Sequence, residues 1–210
     1  MIRILIADDH PIVRLGWGKI ISRDADLVVA GEAENAREVL DFLQQNSCDL
    51  VVLDISMPDM NGLELLEQLK REHPRLPVII LSMHPEEQYA MRAFKLGASG
   101  YITKQSAPEE LVKAIKKVAS GKRHISQAFA ENLLGIFEGK EIEPVHEKLS
   151  IREYQVMLMI ASGVKPKEIA QHLCVSVKTV NSYRARIFEK IKVHSTAELT
   201  RYALENNLLY

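Results

Sequence analysis

Five polar side chains in the first half of the chain have the chemistry to handle a phosphoryl group: the carboxylates of Asp8, Asp9 and Asp54, the Ser82 hydroxyl and the Lys104 amine. Two carboxylates about 4 Å apart repel each other by roughly 4 kcal/mol at an effective dielectric near 20, so a cluster of them must hold protons or a cation. Oxygen ligands on a turn suit Mg²⁺. A carboxylate kept ionised in this way is able to attack phosphorus as a nucleophile.

Each of these residues comes at the end of a short apolar run that predicts a buried strand. Leu50–Leu53, for example, runs directly into Asp54, and Pro58 and Gly62 then break the chain. Right-handed crossover connections bring the carboxyl ends of parallel strands to one edge of a sheet, and ligands bind beyond that edge. The sequence therefore predicts that the five side chains lie close together.

Strand and helix patterns alternate over residues 1–120. The predicted strands are Ile2–Ala7, Leu27–Ala33, Leu50–Leu53, Val78–Leu81 and Tyr101–Thr103. The predicted helices are Pro11–Arg23, Ala36–Gln45, Leu63–Arg71, Glu86–Leu96 and Pro108–Ala119. Near-continuous apolar strands between helices indicate a five-stranded parallel, doubly wound (flavodoxin-like) α/β fold with helices on both faces.

The rest of the chain has helical patterns. Residues 129–137 are apolar at helical spacing, and the charged stretch 139–148 indicates a linker. Four helices are then expected. Ser150 and Ser195 begin two of them as capping boxes, Pro166 lies in the first turn of another, and Ser176 caps the helix 177–191. The predicted organisation is an α/β domain over 1–121, a helix and linker over 122–147, and a small all-α domain over 148–210.

The helix 177–191 has two contrasting faces. One is apolar, with Val180, Ile187 and Ile191 and with Phe188 at its border. The opposite face is short, polar and basic, and consists of Lys178, Asn181, Ser182, Ala185, Arg186 and Glu189. Such a face suits the major groove of DNA, where Asn and Ser bind base edges and Lys and Arg reach phosphates. A solvated helix in an ordinary bundle has the same pattern, so this helix alone leaves both readings open.

The charge distribution separates the two parts. Residues 1–145 carry 17 Lys and Arg and 22 Asp and Glu, a net charge of −5, whereas residues 146–210 carry 10 and 6, a net charge of +4. The basic part suits a polyanionic partner. No apolar run approaches the roughly 20 residues that cross a bilayer. The two cysteines lie far apart, as expected of unpaired thiols in the cytoplasm.

The first part resembles the receiver domain of two-component response regulators in four stretches: IADDHPIVRLG, VVLDISMPDMNGLELL, VIILSMH and GASGYITKQSAPEELVKAI. The resemblance implies that Asp54 accepts phosphate from a sensor histidine kinase. It also implies that Mg²⁺ is arranged by Asp8 and Asp9, with Asp9, Asp54 and the backbone carbonyl of Ser56 as direct ligands.

The same resemblance makes Lys104 the family's lysine and pairs Ser82 with Tyr101 as a switch. A phosphoryl group adds about two negative charges, so we expect it to draw Ser82 and Lys104 inward. Tyr101, expected near the surface, would then rotate into the space that Ser82 leaves. The resemblance further implies that the protein is not a conventional enzyme, although it would catalyse its own phosphoryl transfer and dephosphorylation.

The second part, LSIREYQVMLMIASG followed by KEIAQHLCVSVKTVNSYRARIFEKI, resembles the LuxR-type helix-turn-helix domain. By that pattern Asn181 and Ser182 face bases, and Lys178, Thr179 and Arg186 meet phosphates. Together the two parts are similar to the NarL/FixJ family of response regulators. Within that family, the stretch NSYRARIFEKI most resembles the GacA/UvrY branch. The resemblance implies a homodimer that binds an inverted repeat in duplex DNA and regulates transcription when phosphorylated.

Three other classes of protein remain open from the residues alone. Asp54-Ile55-Ser56 at a strand end is similar to aspartate-nucleophile phosphatases, but those carry a second acid where this chain has Ser56. A LuxR-type regulator that senses a small apolar ligand would not need Asp8, Asp9 and Lys104 at the strand ends. If the second part did not bind DNA, it would be a protein-interaction module.

Overall fold

The computed structural model describes residues 1–58, 60–127, 129–131 and 144–209. The chain divides into two compact units, Met1–Ala130 and Glu131–Tyr210. Among the described residues, no helix is both long and apolar enough to cross a bilayer.

The first unit is a parallel five-stranded sheet between helices, which confirms the predicted fold class. The strands are β1 (Ile2–Ala7), β2 (Leu27–Ala33), β3 (Leu50–Asp54), β4 (Val78–Ser82) and β5 (Gly100–Thr103), in the spatial order β2-β1-β3-β4-β5. The helices are α1 (Pro11–Ile21), α2 (Ala36–Gln45), α3 (Gly62–Glu72), α4 (Glu86–Lys95) and α5 (Pro108–Ala119). All five residues of β3 and of β4 are buried, as expected of central strands covered on both faces.

Two strands extend one residue beyond the predicted ends. Asp54 still pairs with Leu81, and Ser82 with Thr103, so both polar residues belong to the ladder. Backbone pairing fixes their Cα positions and directions more firmly than a loop would. The main predicted helices agree with the structure to within one or two residues, and α2 and α5 agree at both ends.

The second unit is helical, as predicted. It contains a 3₁₀ helix (Val145–Lys148) and the helices α6 (Ile151–Ala161), α7 (Pro166–His172), α8 (Val177–Ile191) and α9 (Thr196–Glu205). The capping box at Ser150 is confirmed, with both hydrogen bonds present. The second predicted box is only half formed. Ser195 accepts from the Glu198 N–H, but the Glu198 carboxylate accepts from the His194 N–H, one residue before the cap.

The linker prediction is wrong over Val145–Lys148. His146 is 5% exposed, because its ring packs against Tyr154 and its Nδ1 lies 3.0 Å from the Tyr202 hydroxyl. This contact fastens the 3₁₀ helix to α6 and α9. The rest of the predicted linker, and most of the helix predicted over 129–137, lie outside the described residues.

Candidate functional site

The sheet has its topological switch point between β1 and β3. The chain leaves β1 toward β2 on one side and leaves β3 toward β4 on the other, as the strand order shows. In open α/β sheets the crevice at such a point is the usual ligand site. Asp8 follows β1 directly and Asp54 ends β3, so both carboxylates lie at this crevice, each 1% exposed.

Lys104 joins the ends of three strands. Its Nζ lies 2.6 Å from Asp8 Oδ2 and 2.8 Å from Asp54 Oδ2, and its side chain is 5% exposed. Its backbone N–H donates to the Ser82 carbonyl over 2.7 Å, which ties the end of β4 to the same place. Four of the residues singled out by the sequence are thus brought together at one edge.

Burial and charge shift the pKa values of Asp54 and Lys104. Burial raises the pKa of the Asp54 carboxyl, and the neighbouring Asp8 charge adds to the increase, although Lys104 opposes both. Burial alone would lower the pKa of the Lys104 ammonium, but the charge and hydrogen bonds of Asp54 and Asp8 outweigh it and raise that pKa. The lysine therefore stays charged, whereas burial and the Asp8 charge disfavour the ionised form of Asp54, which a further cation in the crevice would stabilise.

Four residues present metal-binding atoms within 4.8 Å of one another: Asp8, Asp9, His10 and Asp54. Asp54 Oδ1 is buried and accepts no hydrogen bond of ordinary geometry from the described residues, although the nearby Ser56 amide lowers the pKa of this carboxyl. A buried carboxylate oxygen without a donor is costly, and a hard cation with oxygen ligands would satisfy it. The donor set therefore fits a divalent cation.

His10 is a member of this cluster that the sequence analysis missed. Its Nδ1 lies 2.5 Å from Asp9 Oδ1 and 3.6 Å from Asp8 Oδ1, and its side chain is 63% exposed. Its backbone N–H donates to Asp8 Oδ1 over 2.9 Å. The signal in the sequence was the run Asp8-Asp9-His10, in which an imidazole directly follows two acids.

Gly62 allows the turn after β3 to pack closely against the Asp54 backbone. A Cβ at residue 62 would lie 2.0 Å from the Asp54 carbonyl oxygen and 2.8 Å from Ile55 Cα, so only glycine fits without a backbone shift. The Gly62 N–H donates to the Ile55 carbonyl over 2.8 Å, and Asn61 caps α3 by accepting from the Leu63 N–H. The turn after β3 is thus packed directly against the acidic residue.

The prediction that Tyr101 lies near the surface is wrong, since the residue is 3% exposed. Its hydroxyl donates to the His84 carbonyl over 2.9 Å. Burial raises the pKa of Tyr101, and the nearby Ser82 hydroxyl opposes that rise. The Ser82 hydroxyl in turn accepts from the His84 N–H over 3.1 Å. These bonds to the turn before α4 hold the ring inside. Ser82 and Tyr101 are therefore direct neighbours through their side chains.

In the second unit, α8 presents the two faces that the sequence predicted. Val180, Ile187 and Ile191 are buried. The opposite face is exposed along its whole length and consists of Lys178, Asn181, Ser182, Ala185, Arg186 and Glu189. Arg184 does not belong to it, because its guanidinium lies 5.0 Å from the Phe188 ring centroid and donates to Thr196 Oγ1.

Two hydroxyls on α8 are already engaged within the helix. Thr179 Oγ1 lies 2.8 Å from the Oγ of the cap residue Ser176, and Thr179 is only partly exposed. Ser182 Oγ donates to the Lys178 carbonyl over 3.0 Å, which leaves its lone pairs available as acceptors. Lys178, Asn181 and Arg186 have no side-chain hydrogen bond or ion pair within the part of the chain that the structure describes.

Two family models match the chain: the response regulator receiver domain over residues 4–116, and the bacterial regulatory proteins of the luxR family over residues 147–203. The response regulator UvrY of Escherichia coli K12 is 38% identical over 99% of this chain and 96% of the relative. The response regulator GacA of Pseudomonas aeruginosa is 37% identical over 100% of this chain and 98% of the relative. These matches confirm the predicted family and branch.

Solved structures of response regulators are also similar to this chain. RcsB of Salmonella enterica serovar Typhimurium, bound to a promoter in the presence of phosphomimetic BeF3−, is similar with a TM-score of 0.67 and 29% identity over 96% of this chain and 98% of that one. A structure of two RcsB dimers on two parallel DNAs has a TM-score of 0.61 and 29% identity over 98% of both chains. With a receiver sheet, an acidic crevice and a LuxR-type helical unit, the chain belongs to the response regulators, the phosphorylation-dependent regulators of transcription.

Proposed function

We propose that Asp54 is the phosphoacceptor and that a sensor histidine kinase is the donor. The observation that carries the proposal is the buried Asp54 carboxylate, with one oxygen on Lys104 and the other without an ordinary hydrogen bond at the switch point of the sheet. An Asp54 oxygen attacks phosphorus, so that an O–P bond forms while the bond from phosphorus to the donor's imidazole nitrogen breaks. The electron pair of the broken bond leaves with that nitrogen.

In this proposal Asp9, Asp54 and the Ser56 carbonyl would hold Mg²⁺, with Asp8 arranging the site. The bound ion would neutralise charge on the phosphoryl oxygens. Lys104 would supply a second positive charge. Lys104 sits 2.8 Å from Asp54 Oδ2, where it can follow the phosphoryl group as it arrives. The same pocket would admit water to the acyl phosphate, so we expect slow loss of the phosphoryl group without a separate enzyme.

Ser82 gives the phosphorylated state a way to differ from the free state. Its hydroxyl accepts from the His84 N–H and lies close enough to the Tyr101 hydroxyl to influence the pKa of Tyr101. If a phosphoryl oxygen recruits that hydroxyl, the hydrogen bonds of Tyr101 and of the turn before α4 must change. Because Tyr101 is already buried, we propose an exchange of its hydrogen bonds rather than entry of the ring from the surface.

The second unit would bind duplex DNA as a homodimer on an inverted repeat, with Asn181 and Ser182 toward bases and Lys178, Thr179 and Arg186 toward phosphates. The exposed polar face of α8 supports this, as do the DNA-bound and dimeric RcsB structures to which the chain is similar. Binding to chromosomal DNA would place the protein in the cytoplasm.

The phosphoacceptor is tested by incubating the full chain with Mg²⁺ and acetyl phosphate and measuring intact mass. Wild type should gain one phosphoryl group, Asp54→Asn should gain none, and a chelator should abolish the gain. Asp41→Asn, which changes an exposed acid on α2, is the matched control and should be labelled like wild type. Labelling of Asp54→Asn at the wild-type rate would reject the assignment. DNA binding that did not change on phosphorylation would reject the coupling of the two units.

A further inference from the structure

Arg14 contacts the acidic crevice from outside it. The residue lies in the first half of α1, and its side chain is 15% exposed. One guanidinium N–H donates to the Asp8 carbonyl oxygen over 2.6 Å, and Nε donates to Glu32 Oε2 over 3.2 Å. Glu32 belongs to β2, so this one side chain links α1, the end of β1 and the edge strand.

The Asp8 residue is held from several directions. Its backbone N–H donates to the Ala33 carbonyl over 3.1 Å, and its carboxylate accepts from the His10 N–H and lies against Lys104. The Arg14 side chain holds the carbonyl of Asp8, whereas its backbone N–H makes the first helical hydrogen bond of α1, to the His10 carbonyl over 3.0 Å, as other residues at this position also would. The arginine side chain therefore fixes the Asp8 end of the turn that carries Asp8, Asp9 and His10.

We propose that Arg14 is a positioning residue that sets the affinity of the crevice for a divalent cation. The inference rests on the metal site proposed above. Arg14 holds the Asp8 backbone, and Asp8 fixes where its own carboxylate and the next residue, Asp9, point toward Asp54. Groups that orient metal ligands typically change metal affinity 10- to 100-fold when they are removed.

The sign of the effect separates positioning from simple charge. A guanidinium beside a cluster of carboxylates repels a dication, so its charge alone weakens metal binding, and removing that charge should strengthen it. If Arg14 acts by holding the turn, its removal should weaken metal binding instead. The two roles therefore predict opposite changes in the dissociation constant for Mg²⁺.

The experiment is calorimetric titration of the full chain with MgCl₂ at fixed ionic strength. Arg14→Met should bind Mg²⁺ about 10-fold more weakly than wild type. Arg14→Lys keeps the charge and one donor, and should fall between the two. Arg37→Met, which removes an exposed arginine on α2, should match wild type. Equal or tighter binding by Arg14→Met would overturn the proposal.

Two further measurements keep the result interpretable. Amide hydrogen exchange of the metal-free chain should be faster at Asp9 and His10 in Arg14→Met than in wild type, and unchanged exchange there would count against the proposal. If circular dichroism shows that Arg14→Met is unfolded, Arg14→Lys decides, and wild-type Mg²⁺ affinity in that variant would overturn it. Absence of Mg²⁺ binding by wild type would instead reject the metal site itself.

Discussion

The acidic crevice and the polar face of α8 are built in opposite ways. In the crevice, Asp8, Asp54 and Lys104 lie at or directly after the ends of three strands, and their side chains are nearly fully buried. On α8, the polar residues come from one helix, lie on its exposed side and mostly point into solvent. The crevice is fixed by packing before any ligand arrives, whereas the helix presents long side chains that a ligand must order.

Because of this difference, substitutions should affect the two sites in different ways. A buried charge cluster depends on every partner, because removing one leaves the others without compensation. An exposed helical face tolerates substitutions in the folded protein and loses only what the partner would have gained. We therefore expect large effects on stability in the crevice and effects confined to binding on α8.

The largest effect is expected from Lys104→Met, which leaves the Asp8 and Asp54 carboxylates buried without their shared cation. The free energy of unfolding of the first unit should fall by about 3 kcal/mol at neutral pH in the presence of a chelator. Saturating Mg²⁺ should restore much of the loss by supplying another cation. Urea unfolding followed by Trp17 fluorescence measures this, since Trp17 is the sole tryptophan of the chain and is buried in α1.

Lys116→Met is the control for that prediction. Lys116 also contacts two acids, at 2.7 Å from Asp24 and 3.2 Å from Asp26, but its side chain is 41% exposed. Water and salt screen such a pair, so the loss should be far smaller and insensitive to Mg²⁺. If Lys104→Met and Lys116→Met lowered the free energy of unfolding equally, burial would not explain why the crevice depends on Lys104.

Gly62→Ala should give the next largest effect. The new methyl group would lie 2.0 Å from the Asp54 carbonyl oxygen, so the backbone under Asp54, the proposed phosphoacceptor, must shift. We expect a loss of about 2–3 kcal/mol in unfolding free energy and a decrease of about 100-fold in the phosphorylation rate. Gly16→Ala is a control of opposite sign. Its methyl would meet no atom within 4 Å, and alanine in a helix should stabilise by about 0.5–1 kcal/mol. A Gly62→Ala variant phosphorylated as fast as wild type would show that Asp54 does not need its observed position.

The crevice also shows how far sequence reasoning reaches. Apolar runs ending in Asp54, Ser82 and Lys104 were enough to predict that their strand ends meet, because parallel sheets have regular topology. The burial of Tyr101 and the contact of Gly62 with Asp54 were not predictable. They depend on how loops return to the sheet, and no local pattern encodes those distances. On α8 the helical period alone was enough to predict the apolar and polar faces. It did not predict the hydrogen bond between the Thr179 and Ser176 hydroxyls.

The α8 face is tested by comparing two of its residues, Asn181 and Arg186, on specific and random duplexes. Asn181→Ala should cost about 1–3 kcal/mol on the specific site and relax preference at one base position. Arg186→Ala should weaken binding on all sequences and reduce the salt dependence by about one phosphate contact. Fluorescence anisotropy across salt concentrations measures both. Neither variant should change unfolding, and equal losses for Asn181→Ala on both duplexes would reject its role in reading bases.

The smallest effect is expected where the second unit has a partly buried ion pair of its own. Glu153 is 3% exposed and lies 2.6 Å from Lys190 Nζ. Burial alone would raise the pKa of the Glu153 carboxyl, but Lys190 and the Ser150 amide outweigh it and lower that pKa. The pair therefore stabilises the folded state above the ordinary glutamate pKa, and this contribution disappears as the pH falls through the lowered value.

Lys190→Met should accordingly reduce the stability of the second unit by about 1 kcal/mol or less at neutral pH, and the difference from wild type should close on acidification. Hydrogen exchange of α6 amides, compared between the two proteins at each pH, measures it locally. Arg201→Met removes an exposed pair with Glu205 and should have a smaller effect at every pH. If Lys190→Met kept its full cost below the lowered pKa, the loss would come from the packing of the lysine stem rather than from its charge. The second unit would then have no counterpart to the charge-dependent stability of the crevice.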